Sequence, residues 1–251
     1  WINIRTTSTP RLNGSNPRLF CSQSMRNSGK SRKYGRLKSR LDLKSARDNV
    51  NIFQLSAICG MLSPIVYTFM WVLGGILRPD YSHIRDDISS LFAIDAPNKG
   101  LMQTFIVISS VFLFVFYVGL HEAIGNGGSS IVGPALFIIS SVLGILVALF
   151  FPLDAGGRII TFRGKMHLIL VIGSGLLTIA GMVALWFRLQ SVEEWSTFAA
   201  YSLISAIVAL VLVIISGVFI TSKYRGLLER LGVYPYQLYY FILSLLVFLK
   251  N

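Results

Sequence analysis

The side chains of this chain that could perform chemistry stand in three short segments separated by long apolar runs. Together they supply carboxylates, guanidinium groups, an imidazole and a hydroxyl group, which could bind a polar ligand or transfer protons. The candidates for one ligand-binding site are Arg85, Asp86, Ser89, Asp154, His167, Glu229 and Arg230. In such a site the arginines would bind phosphate, whereas the aspartates and the histidine would set the polarity or the proton state.

An acid–base role is the alternative for Asp154 and His167, because a carboxylate and an imidazole can share a proton during catalysis. Asp154 equally suits a structural role, in which it caps its own loop or pairs with a nearby arginine. Ser89 and Ser90 lie outside any GxSxG motif, which disfavours a serine hydrolase. Phosphate-binding glycine motifs are absent from the sequence as well. No residue is therefore assigned as catalytic.

Haem binding can be tested by the positions of the histidines. His121 ends the second apolar run and His167 begins the fourth, so these histidines lie on opposite membrane faces, about 30 Å apart. They cannot ligate one iron. His83 shares a face with His167 and could join a nearby aspartate in a metal site, but no HxxxH or HExxH spacing supports this. We expect no cofactor and assign no metal site.

Six apolar runs position these segments, and each is long enough to cross about 30 Å of hydrocarbon as a helix. We predict spans at Ile52–Leu77, Leu101–Leu120, Ile131–Phe151, His167–Phe187, Thr197–Ile220 and Leu231–Leu249. A composition of 53% hydrophobic and 14% charged residues excludes an ordinary soluble domain. The alternation typical of a membrane β-barrel is missing from the sequence. The predicted fold class is all-α, a compact bundle of six transmembrane helices over residues 51–251.

Six spans place loops one, three and five together on one side of the membrane, which we call the odd-loop face. We predict these loops at Arg78–Gly100, Pro152–Met166 and Thr221–Arg230. They carry most of the ionisable groups that follow residue 50. Ionisable groups at a membrane boundary are usually paired or line a wet pocket. We therefore expect the seven candidates to form one polar site at the odd-loop face.

Residues 1–50 form a basic tail, which we predict to be disordered. The tail holds 12 of the 23 Lys and Arg residues and only two acids, Asp42 and Asp48. We expect it to contact the anionic lipid surface, where each basic residue adds about 1 kcal/mol. Nucleic acid is not an expected partner, because the tail lacks interleaved aromatic residues. The chain begins with Trp1, and Met25 is an alternative start that would remove residues 1–24 from the native protein.

The basic residues conflict on orientation. The odd loops hold nine Lys and Arg residues. The opposite side also holds nine, namely Arg188, Lys250 and seven residues of Ser31–Val50. Cytoplasmic segments usually carry the excess of positive charge. Because translocation of so basic a tail is unfavourable, we expect both termini on one side, in the cytoplasm.

Several motifs resemble a known family. The segment Pro79–Leu91, PDYSHIRDDISSL, resembles the signature of the domain-of-unknown-function 998 family of bacterial and archaeal membrane proteins. FPLD at Phe151–Asp154, His167 and GLLER at Gly226–Arg230 follow in the family's order. Ser90 stands where members often carry Glu, and Phe92 where they often carry Gly. The resemblance covers Ile52–Leu249 and implies a six-helix protein of a prokaryotic plasma membrane, without an established activity.

Three functions remain open at this point. The favoured one is a non-enzymatic membrane protein that binds a lipid head group or a small polar ligand at the odd-loop face. The second is a small membrane-embedded enzyme that acts on a lipid or isoprenoid through Asp154 and His167. The third is a structural or assembly subunit of a membrane complex, in which the charges form loop ion pairs. Membrane lipids are the expected partners, and a protein partner is not identified.

Overall fold

A computed structural model describes residues 51–125 and 130–251 of the chain. The tail of residues 1–50 lies outside the described residues, so its predicted disorder and lipid contact stay predictions. The described residues form six long helices and no strand. These are α1 (Ile52–Ile76), α2 (Lys99–Ala123), α3 (Val132–Phe150), α4 (Phe162–Leu189), α5 (Ser196–Val218) and α6 (Arg225–Lys250). All six are long and apolar enough to cross a membrane, which confirms the predicted fold class and makes the chain an integral membrane protein.

The helices form a closed ring. Each helix packs against the next one along the chain, and α6 returns to pack against α1. Serine residues bring neighbouring helices close together: the Ser63 hydroxyl donates to the Ser109 carbonyl at 2.9 Å, and the Ser109 hydroxyl donates to the Ser63 carbonyl at 3.1 Å. Small polar residues of this kind let membrane helices approach and satisfy one another's polar groups.

Two helix starts differ from the prediction by five and six residues. Helix α4 was expected to begin at His167 but begins at Phe162, because the Thr161 side chain caps it by accepting from the backbone N–H of Gly164. Helix α6 was expected to begin at Leu231 but begins at Arg225. The Thr161 cap stabilises the first turn of α4, and the first loop packs on the first turn of α6; hydropathy alone shows neither contact. Glu229 and Arg230 are therefore helical residues, not loop residues.

The first loop is the centre of the odd-loop face. Its backbone bonds to the third loop, from the N–H of Ile94 to the carbonyl of Leu153 at 3.0 Å. It also bonds to α6, from the N–H of Leu227 to the carbonyl of Ile84 at 3.0 Å. Its short 3-10 helix, Ile88–Phe92, buries three apolar side chains against α1 and α2. The first loop is therefore anchored to the bundle along its length, as a buried loop requires.

At the opposite face, which we call the even-loop face, an arginine near the end of α4 contacts the end of α2 and the segment before α3. Arg188 is buried and donates to the carbonyls of His121 and Ser130 at 3.1 and 3.0 Å. It also lies 3.0 Å from Nδ1 of His121. Residues Asn51 and Asn251 meet at this face through a side-chain hydrogen bond of 3.4 Å.

Candidate functional site

Arg230 is the most highly connected side chain of the odd-loop face. It is 7% exposed, and its Nη1 group donates to the carbonyls of His83, Asp86 and Gly226 at 2.8, 3.1 and 2.8 Å. Its Nη2 group donates to the Tyr81 hydroxyl at 2.6 Å and to Nδ1 of His83 at 3.1 Å. The guanidinium therefore fastens the first loop to the beginning of α6.

Aromatic rings enclose the same guanidinium. Its Cζ atom lies 5.0 Å from the ring centre of Trp71 and 5.7 Å from that of Tyr81, distances at which cation–π attraction operates. Among residues 51–125 and 130–251, no carboxylate comes within 4.0 Å of Arg230. The buried positive charge is thus held by carbonyl dipoles and aromatic faces.

A crevice runs beside Arg230 between α1 and α6. It has an empty volume of about 190 Å³ and is too narrow to admit a water molecule. The residues that line this Arg230 crevice are Tyr67, Thr68, Trp71, Ile88, Arg230, Val233, Tyr234 and Gln237. Two of them carry buried polar atoms without a hydrogen-bond partner, namely Nε of Arg230 and Oε1 of Gln237. Buried polar groups are rarely left unpaired, so a polar group that entered the crevice would find a donor on Arg230 and an acceptor on Gln237.

Glycine at position 226 allows the first loop to lie directly on α6. A Cβ atom at Gly226 would collide with the backbone of Asp86. One turn further along α6, the Glu229 carboxylate accepts from the backbone N–H of Ile88 and so caps the 3-10 helix of the loop. Arg225 adds a 3.5 Å ion pair with Asp87. The first turns of α6 thus form the platform on which the loop folds.

Arg85 and Asp86 form a two-pronged ion pair at the surface, with N–O distances of 2.9 and 2.8 Å. The Asp86 carboxylate also accepts from the backbone N–H of Ser82 at 2.8 Å. The Arg85 guanidinium and this N–H hold the pKa of Asp86 below its ordinary value. The Arg85 side chain is 60% exposed, so the pair adds little stability.

The Tyr81 hydroxyl links Arg230 to the backbone of the first loop. It accepts from Arg230 and donates to the carbonyl of Asp87 at 3.0 Å. Burial raises the pKa of Tyr81 to about 12, so the hydroxyl keeps its proton and can donate. Burial and the Arg230 guanidinium lower the pKa of His83, consistent with a neutral ring whose Nδ1 accepts from Arg230.

Ser89 and His167 form a separate pair, between the first loop and the second turn of α4. The buried His167 ring places Nδ1 2.7 Å from the Phe151 carbonyl and Nε2 3.2 Å from the Ser89 hydroxyl. A ring protonated on Nδ1 donates to the carbonyl and accepts the serine proton on Nε2. Both nitrogens are then satisfied, and the histidine ties the first loop to the third.

Asp154 is turned toward its own loop. Its carboxylate accepts from the backbone N–H groups of Ile160 and Thr161 at 2.7 Å each and from the Thr161 hydroxyl. These hydrogen bonds, the hydroxyl first, lower the pKa of Asp154. Asp154 and His167 are not hydrogen-bonded to each other, and neither lines the Arg230 crevice. The proton-sharing pair considered from the sequence is not formed in this structure.

The seven candidate residues therefore belong to three groups. Arg85, Asp86, Glu229 and Arg230 meet where the first loop lies on α6, whereas Ser89 pairs with His167 and Asp154 stays within the third loop. Residues that the sequence analysis did not select are Trp71, Tyr81, His83 and Gln237. A usable signal was the helical spacing of Tyr67 with Trp71 and of Arg230 with Gln237, which puts each pair on one helix face. Ligand binding by the seven candidates stays a prediction.

Metal binding has no support in the arrangement of side chains. Within residues 51–125 and 130–251, no group of three or more His, Cys, Asp or Glu residues is placed to hold a metal ion. His121 lies at the even-loop face beside Arg188, and His167 lies at the odd-loop face beside Ser89.

Comparison with known proteins identifies one relationship. A family model described as "Protein of unknown function (DUF998)" matches residues 61–246. The match reaches from α1 into α6 and covers well over half of the chain, in agreement with the resemblance noted in the sequence. No curated protein and no solved structure matches the chain.

Proposed function

This chain belongs to the DUF998 family of proteins of unknown function, and we propose that it binds the phosphate group of a lipid in the Arg230 crevice. The observation that carries the proposal is the buried guanidinium of Arg230, whose Nε–H has no partner and which lines the crevice. Phosphate is the anion that an arginine N–H and its positive charge bind best.

The energetics favour an anion at this position. Four N–H bonds of the guanidinium are engaged by the first loop and α6, so the Nε–H is the remaining donor. A hydrogen bond to a charged group contributes about 1.5–3 kcal/mol. A phosphate oxygen beside Nε would supply the missing acceptor and would place a negative charge in direct contact with the guanidinium, which no carboxylate of the described residues does.

The position of the crevice favours a lipid over a free anion. Both walls of the crevice belong to helices that are long and apolar enough to cross a membrane, so its open side faces lipid. Tyr234 forms one wall and is 52% exposed, so its ring can turn outward to widen the crevice. A ligand would thus arrive sideways from the bilayer, with its head group at the odd-loop face.

Orientation and the remaining partners follow as part of the proposal. We place both termini in the cytoplasm, where the tail of residues 1–50 contacts anionic lipid, and the odd-loop face on the opposite side. The test is labelling of intact cells with an impermeant maleimide after Asp80→Cys or Asn251→Cys, in a Cys59→Ala background with Cys21→Ala. Labelling at position 80 alone supports the proposal, and labelling at position 251 alone contradicts it.

The binding test compares three probes on the purified full chain in decyl maltoside micelles. The probes are dodecyl phosphate, inorganic phosphate and dodecyl maltoside, and the readout is the midpoint of thermal unfolding, since a ligand of the folded state raises it. We expect dodecyl phosphate to raise the midpoint of the wild type. An equal effect of inorganic phosphate would show that the ligand is a free anion, not a lipid.

Two variants separate the crevice from general charge effects. Val233→Phe adds bulk to the crevice wall without replacing any hydrogen-bond partner of Arg230. It should prevent the crevice from widening and so abolish the response to dodecyl phosphate. Arg225→Gln removes one positive charge from the same face outside the crevice, and it should respond as the wild type does. The proposal fails if Val233→Phe and the wild type respond equally.

A further inference from the structure

The second unpaired group of the crevice lies deeper in the membrane than Arg230. Gln237 stands seven residues further along α6, which places it on the same helix face, about 10 Å along the axis. Its Oε1 atom is buried without a hydrogen-bond partner, although the residue lines the crevice. An amide is a rare and costly group in a transmembrane helix when it is left unpaired.

We propose, on the basis of the function inferred above, that the bound lipid is an acyl-ester glycerophospholipid whose ester carbonyl hydrogen-bonds to the Gln237 amide. The amide presents either its oxygen or its nitrogen to the crevice after a half-turn, so it can donate as well as accept. An ester carbonyl is an acceptor, and in a glycerophospholipid it lies one glycerol unit below the phosphate. The phosphate would then accept from Nε of Arg230, and the ester carbonyl would accept from the amide nitrogen of Gln237 after that half-turn, which takes the amide oxygen out of its unpaired position.

A polyprenyl phosphate fits the same crevice less well. Below its phosphate it carries hydrocarbon only, so the Gln237 amide would stay unpaired and would be sealed from water by the chain. Leaving a buried polar group unsatisfied costs about 1–3 kcal/mol. The amide therefore selects against isoprenoid phosphates and in favour of lipids with a carbonyl at that depth.

The other unpaired polar atoms of the described residues do not mark a second site. The hydroxyls of Tyr117 and Tyr236 also lack partners, but neither residue lines the Arg230 crevice. The Tyr117 ring instead stacks in the interior on Phe137, with ring centres 5.0 Å apart. Among residues 51–125 and 130–251, only Arg230 and Gln237 combine an unpaired buried atom with a position on the crevice wall.

The experiment uses two lipids that differ only in the carbonyl groups. Dihexanoyl phosphatidic acid carries two ester carbonyls, and its dihexyl ether analogue carries none. Affinities for the full chain are measured in maltoside micelles by isothermal titration, for the wild type, for Gln237→Leu and for the control Gln54→Leu. Gln54 also lies between α1 and α6 but at the even-loop face, where its amide is 3.5 Å from the Phe248 carbonyl.

The wild type should bind the ester about tenfold more tightly than the ether, the equivalent of one hydrogen bond. Gln237→Leu should bind both lipids equally, and Gln54→Leu should keep the tenfold preference. Equal binding of ester and ether by the wild type would overturn the inference while leaving phosphate binding intact. Failure of the wild type to bind either lipid would overturn the proposed function itself.

Discussion

Each end of the helix bundle has a buried arginine that joins a loop to a helix. The two arginines differ in whether all of their N–H donors have a hydrogen-bond partner. Arg230 at the odd-loop face and Arg188 at the even-loop face are 7% and 8% exposed. Each donates to the backbone carbonyl of a histidine in a neighbouring segment and lies about 3 Å from Nδ1 of the same ring. The same contact, between an arginine and both the carbonyl and the Nδ1 atom of one histidine, thus occurs at either end of the six-helix bundle.

The difference lies in the fifth donor of the guanidinium. Among the described buried atoms without a partner is Nε of Arg230, and no atom of Arg188 is among them. Arg230 also lines a crevice between α1 and α6 that contains a second unpaired group, on Gln237. The comparison teaches that two arginines with the same backbone contacts can differ in one donor, and our proposal of binding rests on that donor and on the crevice beside it.

Removing either arginine should cause the largest loss of stability. Arg230→Leu and Arg188→Leu each leave at least two backbone carbonyl groups without their donor, which predicts a loss of about 3–5 kcal/mol. Thermal unfolding in maltoside micelles, followed by circular dichroism, measures this loss. Arg225→Gln is the control, because it removes an arginine of the odd-loop face whose side chain is 42% exposed. A loss at Arg188 with none at Arg230 would show that the two ends do not share this stabilising contact.

The contact between the first loop and α6 gives the next largest effect. Gly226→Ala places a methyl group against the backbone of Asp86, which cannot move without shifting the loop, so we expect a loss of about 1–3 kcal/mol. The matched control is Gly100→Ala in the first turn of α2, where no atom lies within 4 Å of the added methyl group. The control should gain up to about 1 kcal/mol, as helical alanine does. Equal effects of the two substitutions would refute the close approach.

Asp154 in the third loop gives a smaller expected effect. The test distinguishes a loop-capping role of its carboxylate from a catalytic role. Asp154→Ala removes the acceptor for two backbone N–H groups and should lower the unfolding midpoint by about 2–4 °C. Asp95→Ala is the comparison, because Asp95 accepts from the N–H of Gly156 in an exposed part of the same loop contact. It should lower the midpoint less. If Asp154→Ala leaves the midpoint unchanged, the loop-capping role is wrong and a chemical role regains weight.

The smallest effect concerns pH at the odd-loop face. Burial and Arg230 lower the pKa of His83 from its ordinary value of 6.5, so the unfolded chain takes up a proton at higher pH than the folded chain does. Stability is therefore complete above pH 6.5 and is lost as the pH falls from 6.5 toward the folded-state pKa. His83→Asn keeps an acceptor for Arg230 and cannot titrate.

The measurement is the difference in unfolding midpoint between pH 7.5 and pH 5.5. It should be larger for the wild type than for His83→Asn, since only the wild type carries the titrating ring. Asp86, Tyr81 and Arg230 face the same region and are present in both proteins. An identical pH dependence would show that protonation of His83 is not coupled to folding.

Hydropathy predicted the helices well and their polar ends poorly. Runs of apolar residues must form internally hydrogen-bonded helices in a membrane, so the six spans follow from composition and length. The first turns of α4 and α6 are polar, and they are helical because Thr161 caps one and the first loop packs on the other. Arg230 was therefore placed in a loop by hydropathy, although it lies in the second turn of α6.

The candidate site shows a similar division. The topology rule that joins the odd loops to one face is borne out by the backbone bonds between the first loop, the third loop and α6. Which side chains meet there depends on the path of the first loop, which no periodicity encodes. Tyr81 and His83 were consequently not chosen as candidates. Asp154 was chosen for its charge, although its carboxylate accepts hydrogen bonds from its own loop. The helical spacings of Tyr67 with Trp71 and of Arg230 with Gln237 were the signals in the sequence that pointed to the crevice.

The most direct test of lipid binding is mass spectrometry of the lipids that stay bound to the chain when it is purified from native membranes. Wild type, Val233→Phe and Arg225→Gln are compared at equal protein amounts. We expect about one acyl-ester phospholipid per chain in the wild type and in Arg225→Gln, and its loss in Val233→Phe. Wild-type protein that carries no phospholipid, or that carries as much as Val233→Phe does, would contradict the account.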